Sequence, residues 1–90
     1  MSLYVAAYDI ARPTNRARVA EILLKYGRRV QRSVFEIEVE PEELDEFRFR
    51  VGLLLAASDA FDLFPIDRRF PKRRISWQRD PVAEDSVIVV

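Results

Sequence analysis

The apolar residues of this 90-residue chain change their spacing several times, and these changes constrain the fold more than any other feature. Residues 3–8 form an unbroken run of apolar and aromatic residues, with too few polar positions for a one-sided surface strand, which predicts a central strand. From residue 19 to 26 the apolar positions follow the i, i+3, i+4, i+7 spacing of a helix. From residue 35 to 40 they alternate with glutamates, which predicts a strand with one solvated face.

Proline and glycine predict the element boundaries. Pro13 follows the first strand, Thr14 can cap a helix over about residues 14–26, and Gly27 can terminate that helix. The sequence leaves open whether residues 30–40 form one strand or two, separated at residues 31–33. Pro41 suits the first turn of a second helix. Its predicted apolar stripe consists of Leu44, Phe47, Val51, Leu54 and Leu55.

Two further strands are predicted towards the C-terminus. Residues 60–66 should form an edge strand or a strand end, because Pro65 has no amide hydrogen to donate. A basic connector over residues 67–80 follows, and residues 86–90 should form a short apolar strand that pairs with an edge of its own sheet or a partner's. The order β-α-β-(β)-α-β-β predicts a two-layer α+β sandwich with a mostly antiparallel sheet and both helices on one face.

Composition limits the classes of chemistry. The chain contains no histidine and no cysteine, so any reaction must use carboxylates, hydroxyls and arginine. We expect a single domain over residues 1–90, with dimerisation as a source of extra core at this small size. The apolar runs are too short to cross a bilayer and the N-terminus lacks the layout of a signal peptide, which predicts a cytoplasmic protein without membrane contact.

Charge is strongly segregated although the net charge is zero. Residues 12–32 contain seven basic residues against the single acidic Glu21, and residues 36–46 contain seven acidic residues and no basic one. A second basic block lies between residues 68 and 79. Such zoning predicts a surface that binds polyanions. The alternative is that the blocks are solvated faces that pair with each other in the fold or across a dimer.

One acidic residue, Asp9, ends the first predicted strand, and arginines follow it. A lone carboxylate beside cationic groups is a place where a metal ion and a phosphate could meet. The alternative is that Asp9 only caps a turn or a helix start.

Three segments carry a family resemblance. They are Tyr8-Asp9-Ile10, Asn15-Arg16-Ala17-Arg18-Val19, and the stretch from Tyr26 to Glu36 with the spacing Gly-x-x-x-Gln-x-Ser-Val-Phe. In these features, and over nearly its whole length, the chain resembles the CRISPR-associated protein 2 family. The resemblance implies a ferredoxin-like fold, with a β-α-β-β-α-β core and an extra C-terminal strand that completes the sheet of the other subunit in a symmetric homodimer.

The resemblance also implies a function and site residues. The dimer would bridge copies of the CRISPR integrase subunit during spacer acquisition and hold the captured DNA. Many members are described as metal-dependent endonucleases acting on single-stranded RNA or double-stranded DNA. Asp9 would then be catalytic and would bind Mg²⁺ or Mn²⁺, paired with its copy across the two-fold axis. Arg16, Arg18 and Arg29 would bind phosphate.

The chain departs from the family pattern immediately after Ile10. Ala11, Arg12 and Pro13 occupy a stretch in which members often carry further acidic residues. Fewer carboxylates weaken a metal site and strengthen phosphate attraction, which favours DNA binding and scaffolding over nuclease activity.

Three functions are therefore open to a chain of this sequence: a nucleic-acid-bridging dimer, a metal-dependent endonuclease, and a toxin-like endoribonuclease or ferredoxin-like binding module unrelated to CRISPR. The first two are compatible with each other. If the C-terminal strand is exchanged between subunits, deletion of residues 86–90 should abolish the dimer.

Overall fold

The computed structural model describes residues 2–67. In chain order the elements are β1 (Ser2–Asp9), α1 (Pro13–Leu24), β2 (Gly27–Gln31), β3 (Val34–Val39), a 3₁₀ turn (Pro41–Glu43), α2 (Leu44–Gly52) and β4 (Ala60–Pro65). The strands form one sheet in the order β2-β3-β1-β4, and every neighbouring pair is antiparallel. This topology confirms the α+β, ferredoxin-like prediction. The predicted basic connector and C-terminal strand lie outside the described residues, apart from Asp67.

The central position of β1 is confirmed. It pairs with β3 on one side and β4 on the other, so that Val5 lies opposite both Glu36 and Phe64. Ala6 and Tyr8 are buried on one face of β1, whereas Leu3, Val5 and Ala7 are only partly buried on the other. Pro65 ends β4 at an edge of the four-stranded sheet formed by residues 2–67, as its missing amide hydrogen predicts.

The open question about residues 30–40 is answered by a hairpin. Strands β2 and β3 are separate and antiparallel, with Arg32 and Ser33 in the turn between them. The backbone amide of Tyr8 donates to the carbonyl of Ser33 at 3.1 Å and so attaches this turn to β1.

Gly27 does not terminate α1, so that prediction was wrong. The helix ends at Leu24, and the amides of Lys25 and Tyr26 donate to Ile22 and Leu23 in a tightened last turn. Gly27 is instead the first residue of β2, where a Cβ atom would overlap the carbonyl oxygen of Glu36. The glycine is therefore required by the close approach of two strands.

Both helices start at residues other than those predicted. Pro13 is the first residue of α1 because its fixed φ suits the first turn, and Arg12 precedes it as N-cap without a side-chain cap bond, so Thr14 is not the cap. Pro41 begins the 3₁₀ turn, and α2 proper starts at Leu44.

The core lies between one face of the sheet and the two helices. Its largest fully buried side chains are Phe35, Phe47, Leu23, Ile37, Val19 and Val39. The apolar face predicted for β3 is thus confirmed. Its other face was predicted to be solvated, but Glu36 is only 8% exposed and lies 3.1 Å from the Arg28 guanidinium. This ion pair explains how the carboxylate is buried there.

Candidate nucleic-acid interface

An open cleft of about 870 Å³ lies where β1 ends, α1 begins and the β2–β3 hairpin turns. These three segments meet because β1 lies beside β3 and because the Ser33 carbonyl accepts a bond from β1. The residues that line the cleft are Tyr8, Asp9, Ile10, Pro13, Arg16, Ala17, Arg29, Val30, Gln31, Arg32 and Ser33. The cleft therefore contains three arginines and one carboxylate.

Asp9 is the last residue of β1 and is exposed. It lies opposite Ala60 of β4 in the sheet register. The strand thus ends on an acidic residue, as the sequence predicted, and Asp9 is one of the residues that line the basic cleft.

Arg16 projects from the first turns of α1 back towards β1. Its Nη1 atom donates to the carbonyl oxygens of Ile10 at 3.1 Å and Ala11 at 3.4 Å. The guanidinium has five N–H donors, so these bonds to one nitrogen leave other donors for a ligand. Arg16 consequently fixes the turn after Asp9 and supplies positive charge to the cleft.

Arg29 enters the cleft from β2. Its guanidinium carbon lies 5.0 Å from the centroid of the Phe35 ring, within the range of a cation–π contact. Arg18, the third predicted phosphate ligand, does not line this cleft. It is two residues beyond Arg16, which rotates a helical side chain by about 200°. The structure thus brings Asp9, Arg16 and Arg29 together and leaves Arg18 elsewhere.

The turn of the hairpin adds a cation that was not among the predicted site residues. Arg32 lines the cleft, and its carbonyl oxygen accepts a 3.4 Å bond from the Tyr8 hydroxyl. Tyr8 itself is 6% exposed and stacks with Phe35 and Phe61 at centroid distances of 6.3 and 6.1 Å. The sequence could not distinguish Arg32 from the other members of its basic block. The turn that carries Arg32 reaches the end of β1 only when the sheet forms.

Asp59 is a second residue that sequence reasoning did not select. It lies in the loop before β4, and its carboxylate accepts the backbone amides of Ala56 at 2.8 Å and Ala11 at 3.1 Å. These two bonds, with a smaller contribution from Arg12, hold the pKa of Asp59 below its ordinary value. No motif signalled this role, because Asp59 and Ala11 are 48 residues apart.

The cleft has a single acidic lining residue, Asp9, and this limits how a divalent cation could be held there. Residues 2–67 contain no group of three or more acidic side chains arranged to hold a metal ion. Mg²⁺ usually binds one or two carboxylates and completes its shell with water and phosphate oxygens. Asp9 therefore fits as a single protein ligand in one copy of the chain.

Within residues 2–67 no helix is long and apolar enough to cross a membrane.

Comparisons with known proteins agree on one family. The chain is 42% identical over 65 residues to CRISPR-associated endonuclease Cas2 2 of Thermus thermophilus, covering 71% of this chain and 72% of that protein. It is 33% identical over 92 residues to CRISPR-associated endoribonuclease Cas2 3 of a Synechocystis species, covering 99% and 100%. A chain in a solved partial Cas6-RT-Cas1–Cas2 complex superposes with a TM-score of 0.79 over 100% of both chains at 23% identity, which shows the shared fold. The family model for CRISPR associated protein Cas2 matches residues 1–74. This chain belongs to the Cas2 family.

Proposed function

We propose that this protein acts as a homodimer that binds duplex nucleic acid through its phosphates and bridges the CRISPR integrase during spacer acquisition. We include in the proposal a magnesium-dependent phosphodiester hydrolysis centred on Asp9. The observation that carries it is that Asp9, Arg16 and Arg29 all line one cleft at the end of β1. Family membership excludes the alternative of a module unrelated to CRISPR.

The composition of the cleft supports phosphate binding over base recognition. Its cations are arginines, which match the geometry of phosphate oxygens. Recognition of unpaired bases relies on exposed aromatic side chains that stack on them. Among the described lining residues the aromatic side chain is that of Tyr8, which is buried between Phe35 and Phe61. Contacts to the backbone give affinity without sequence preference, as a protein that captures varied DNA requires.

The face of the sheet opposite the helices supports a homodimer. Because side chains alternate along a strand and Ala6 and Tyr8 face the core, Leu3, Val5 and Ala7 face the other way. Phe64 of β4 is 54% exposed and lies opposite Val5. This face also carries Glu36 and Asp62, the register partners of Val5 and Ala7. A sheet face without a helix over it in residues 2–67, with apolar residues along β1 and exposed Phe64 beside them, is suited to packing against a second copy.

The same alternation supports a shared metal site. Asp9 belongs to the series of residues 3, 5 and 7, so its carboxylate starts from the face proposed for the dimer. A two-fold axis near that strand end would bring two Asp9 side chains together, which is the number of carboxylates that a magnesium site commonly uses. When bound, the ion would polarise a phosphoryl oxygen and lower the pKa of its water. Arg16 and Arg29 would hold and orient the phosphate.

The bridging role is supported by the comparison that covers the whole chain. The structurally similar chain belongs to a complex that contains Cas1 and Cas2. We propose that the present chain has an equivalent integrase partner.

The proposal is tested by comparing the wild-type protein with Asp9→Asn, purified side by side. Cleavage of labelled single-stranded RNA and duplex DNA is measured with Mg²⁺ or Mn²⁺, duplex affinity is measured by fluorescence anisotropy, and the cognate integrase is tested for co-elution. We expect Asp9→Asn to lose cleavage while it retains duplex binding and the integrase. Equal cleavage by both proteins would overturn the metal-centred chemistry, and absence of duplex binding by the wild type would overturn the bridging function.

A further inference from the structure

The carboxylate of Asp59 connects two loops at the end of the sheet that carries Asp9. Its Oδ1 atom accepts the amide of Ala11, which lies in the turn between β1 and α1, at 3.1 Å. Its Oδ2 atom accepts the amide of Ala56, in its own loop, at 2.8 Å. The Asp59 amide in turn donates to the Ala56 carbonyl at 3.0 Å. The loop is therefore closed on itself before it contacts the turn.

This connection reaches the chain immediately after Asp9. Asp59 precedes Ala60, the register partner of Asp9, and Ala11 follows Asp9 by two residues. The opposite side of the turn is held by Arg16, which donates to the carbonyls of Ile10 and Ala11. One charged side chain thus accepts the Ala11 amide and another donates to the carbonyls around it.

We infer that Asp59 is a positioning residue that holds the turn after β1 in one conformation and so fixes the direction of the Asp9 carboxylate at the cleft. Asp9 is the last paired residue of β1, so a mobile turn immediately after it would let the ψ of Asp9 vary, and with it the directions open to its carboxylate. Each of those directions would lower the fraction of molecules in which Asp9 is oriented towards a cation in the cleft. The inference rests on the proposed function only in taking Asp9 as the metal ligand.

The first test measures the turn itself. Asp59→Asn keeps the size of the side chain but replaces one carboxylate oxygen with an NH₂ group. This group is a donor and cannot accept the hydrogen bond of the backbone N–H that it faces. We expect the amide of Ala11 or Ala56 to exchange with solvent about tenfold faster or more by NMR, and Asp9 to become more mobile in ¹⁵N relaxation. Asp45→Asn, at an exposed aspartate in the first turn of α2, is the matched control and should change neither amide.

The second test asks whether the turn positions a ligand. Mn²⁺ is titrated into the full-length wild-type protein and both variants, and paramagnetic broadening of the Asp9 amide is followed. We expect Asp59→Asn to need about tenfold more Mn²⁺ than the wild type, and Asp45→Asn to match the wild type. Faster exchange at Ala11 with unchanged Mn²⁺ affinity would make Asp59 merely structural and overturn the inference.

The two proposals can fail separately. If Asp9 of the wild type is not broadened by Mn²⁺, the metal site is wrong, and the inference is then decided by the mobility of Asp9. An Asp9 amide that stays as ordered in Asp59→Asn as in the wild type would overturn the positioning role whatever the metal result.

Discussion

The guanidinium of exposed Arg29 lies over the ring of fully buried Phe35, at 5.0 Å from its centroid. Phe35 is fixed in the core and stacks with Tyr8. A cation on the wall of the cleft is thus attached to the interior of the protein. This contact reduces the number of conformations that Arg29 loses when it binds a phosphate.

Substitution of Arg29 by alanine is expected to weaken duplex binding and reduce its dependence on salt. Removal of one phosphate-binding arginine should lower the slope of log affinity against log salt concentration by about one. The measurement is a series of duplex titrations by anisotropy at several salt concentrations.

Arg18→Ala is the matched control, because it removes the same charge from a residue outside the cleft. Its effect on affinity and on the salt slope should be the smaller of the two. A larger effect for Arg18→Ala would place the phosphates on another surface of α1.

The two glycines should respond to alanine in opposite directions. Gly27→Ala would place a Cβ atom against the backbone of Glu36, and only a separation of β2 from β3 could relieve this overlap. We therefore expect the variant to destabilise the fold by about 3 kcal/mol or more. Gly52→Ala meets nothing within 4 Å at the end of α2 and should stabilise the helix by about 0.5–1 kcal/mol. Urea unfolding of both variants measures the free energies. Equal effects would contradict the strand contact at Gly27.

Features carried by local patterns could be predicted from the sequence. The apolar run of β1 indicated a central strand, and the period-two pattern indicated the buried positions Phe35, Ile37 and Val39. Asp9 could be placed at the end of a strand for the same reason. These properties depend on the spacing of residues along one element.

Features created by contacts between distant segments could not be predicted. Gly27 suits a helix terminus as well as a tight strand contact, and only the approach of β3 decides between them. Glu36 was expected in solvent because its pairing with Arg28 depends on hairpin register. Arg18 was predicted to bind phosphate together with Arg16, although the helix turns the two side chains apart.

The exposed aromatic side chain on the outer sheet face should be needed for dimerisation. Phe64→Lys adds a charge where Val5 and Phe64 are proposed to meet a second copy, and it should weaken the dimer by about 2 kcal/mol or more. Sedimentation velocity over a range of concentrations measures the change in the dimer dissociation constant.

Phe49→Lys provides the comparison, because Phe49 is 66% exposed on α2, on the helix side of the sheet. It should leave the dimer unchanged. A dimer that tolerates Phe64→Lys and dissociates with Phe49→Lys would place the interface on the helices.

Acid should selectively remove the contribution of Asp59 to stability. Hydrogen bonds from Ala56 and Ala11, followed by the nearby Arg12 charge, lower the pKa of Asp59 in the folded protein. Because the pKa of Asp59 is lower in the folded protein than in the unfolded chain, ionised Asp59 stabilises the fold at any pH above its unfolded-state pKa. This contribution is lost as the pH falls from the unfolded-state pKa to the lower folded-state pKa. The difference in unfolding free energy between the wild type and Asp59→Asn should therefore narrow from neutral pH to about pH 3. Other carboxylates titrate in both proteins and largely cancel in this difference, which urea unfolding at each pH measures. A difference in unfolding free energy that stays constant or increases on acidification would show that the ionised carboxylate does not hold the two loops together.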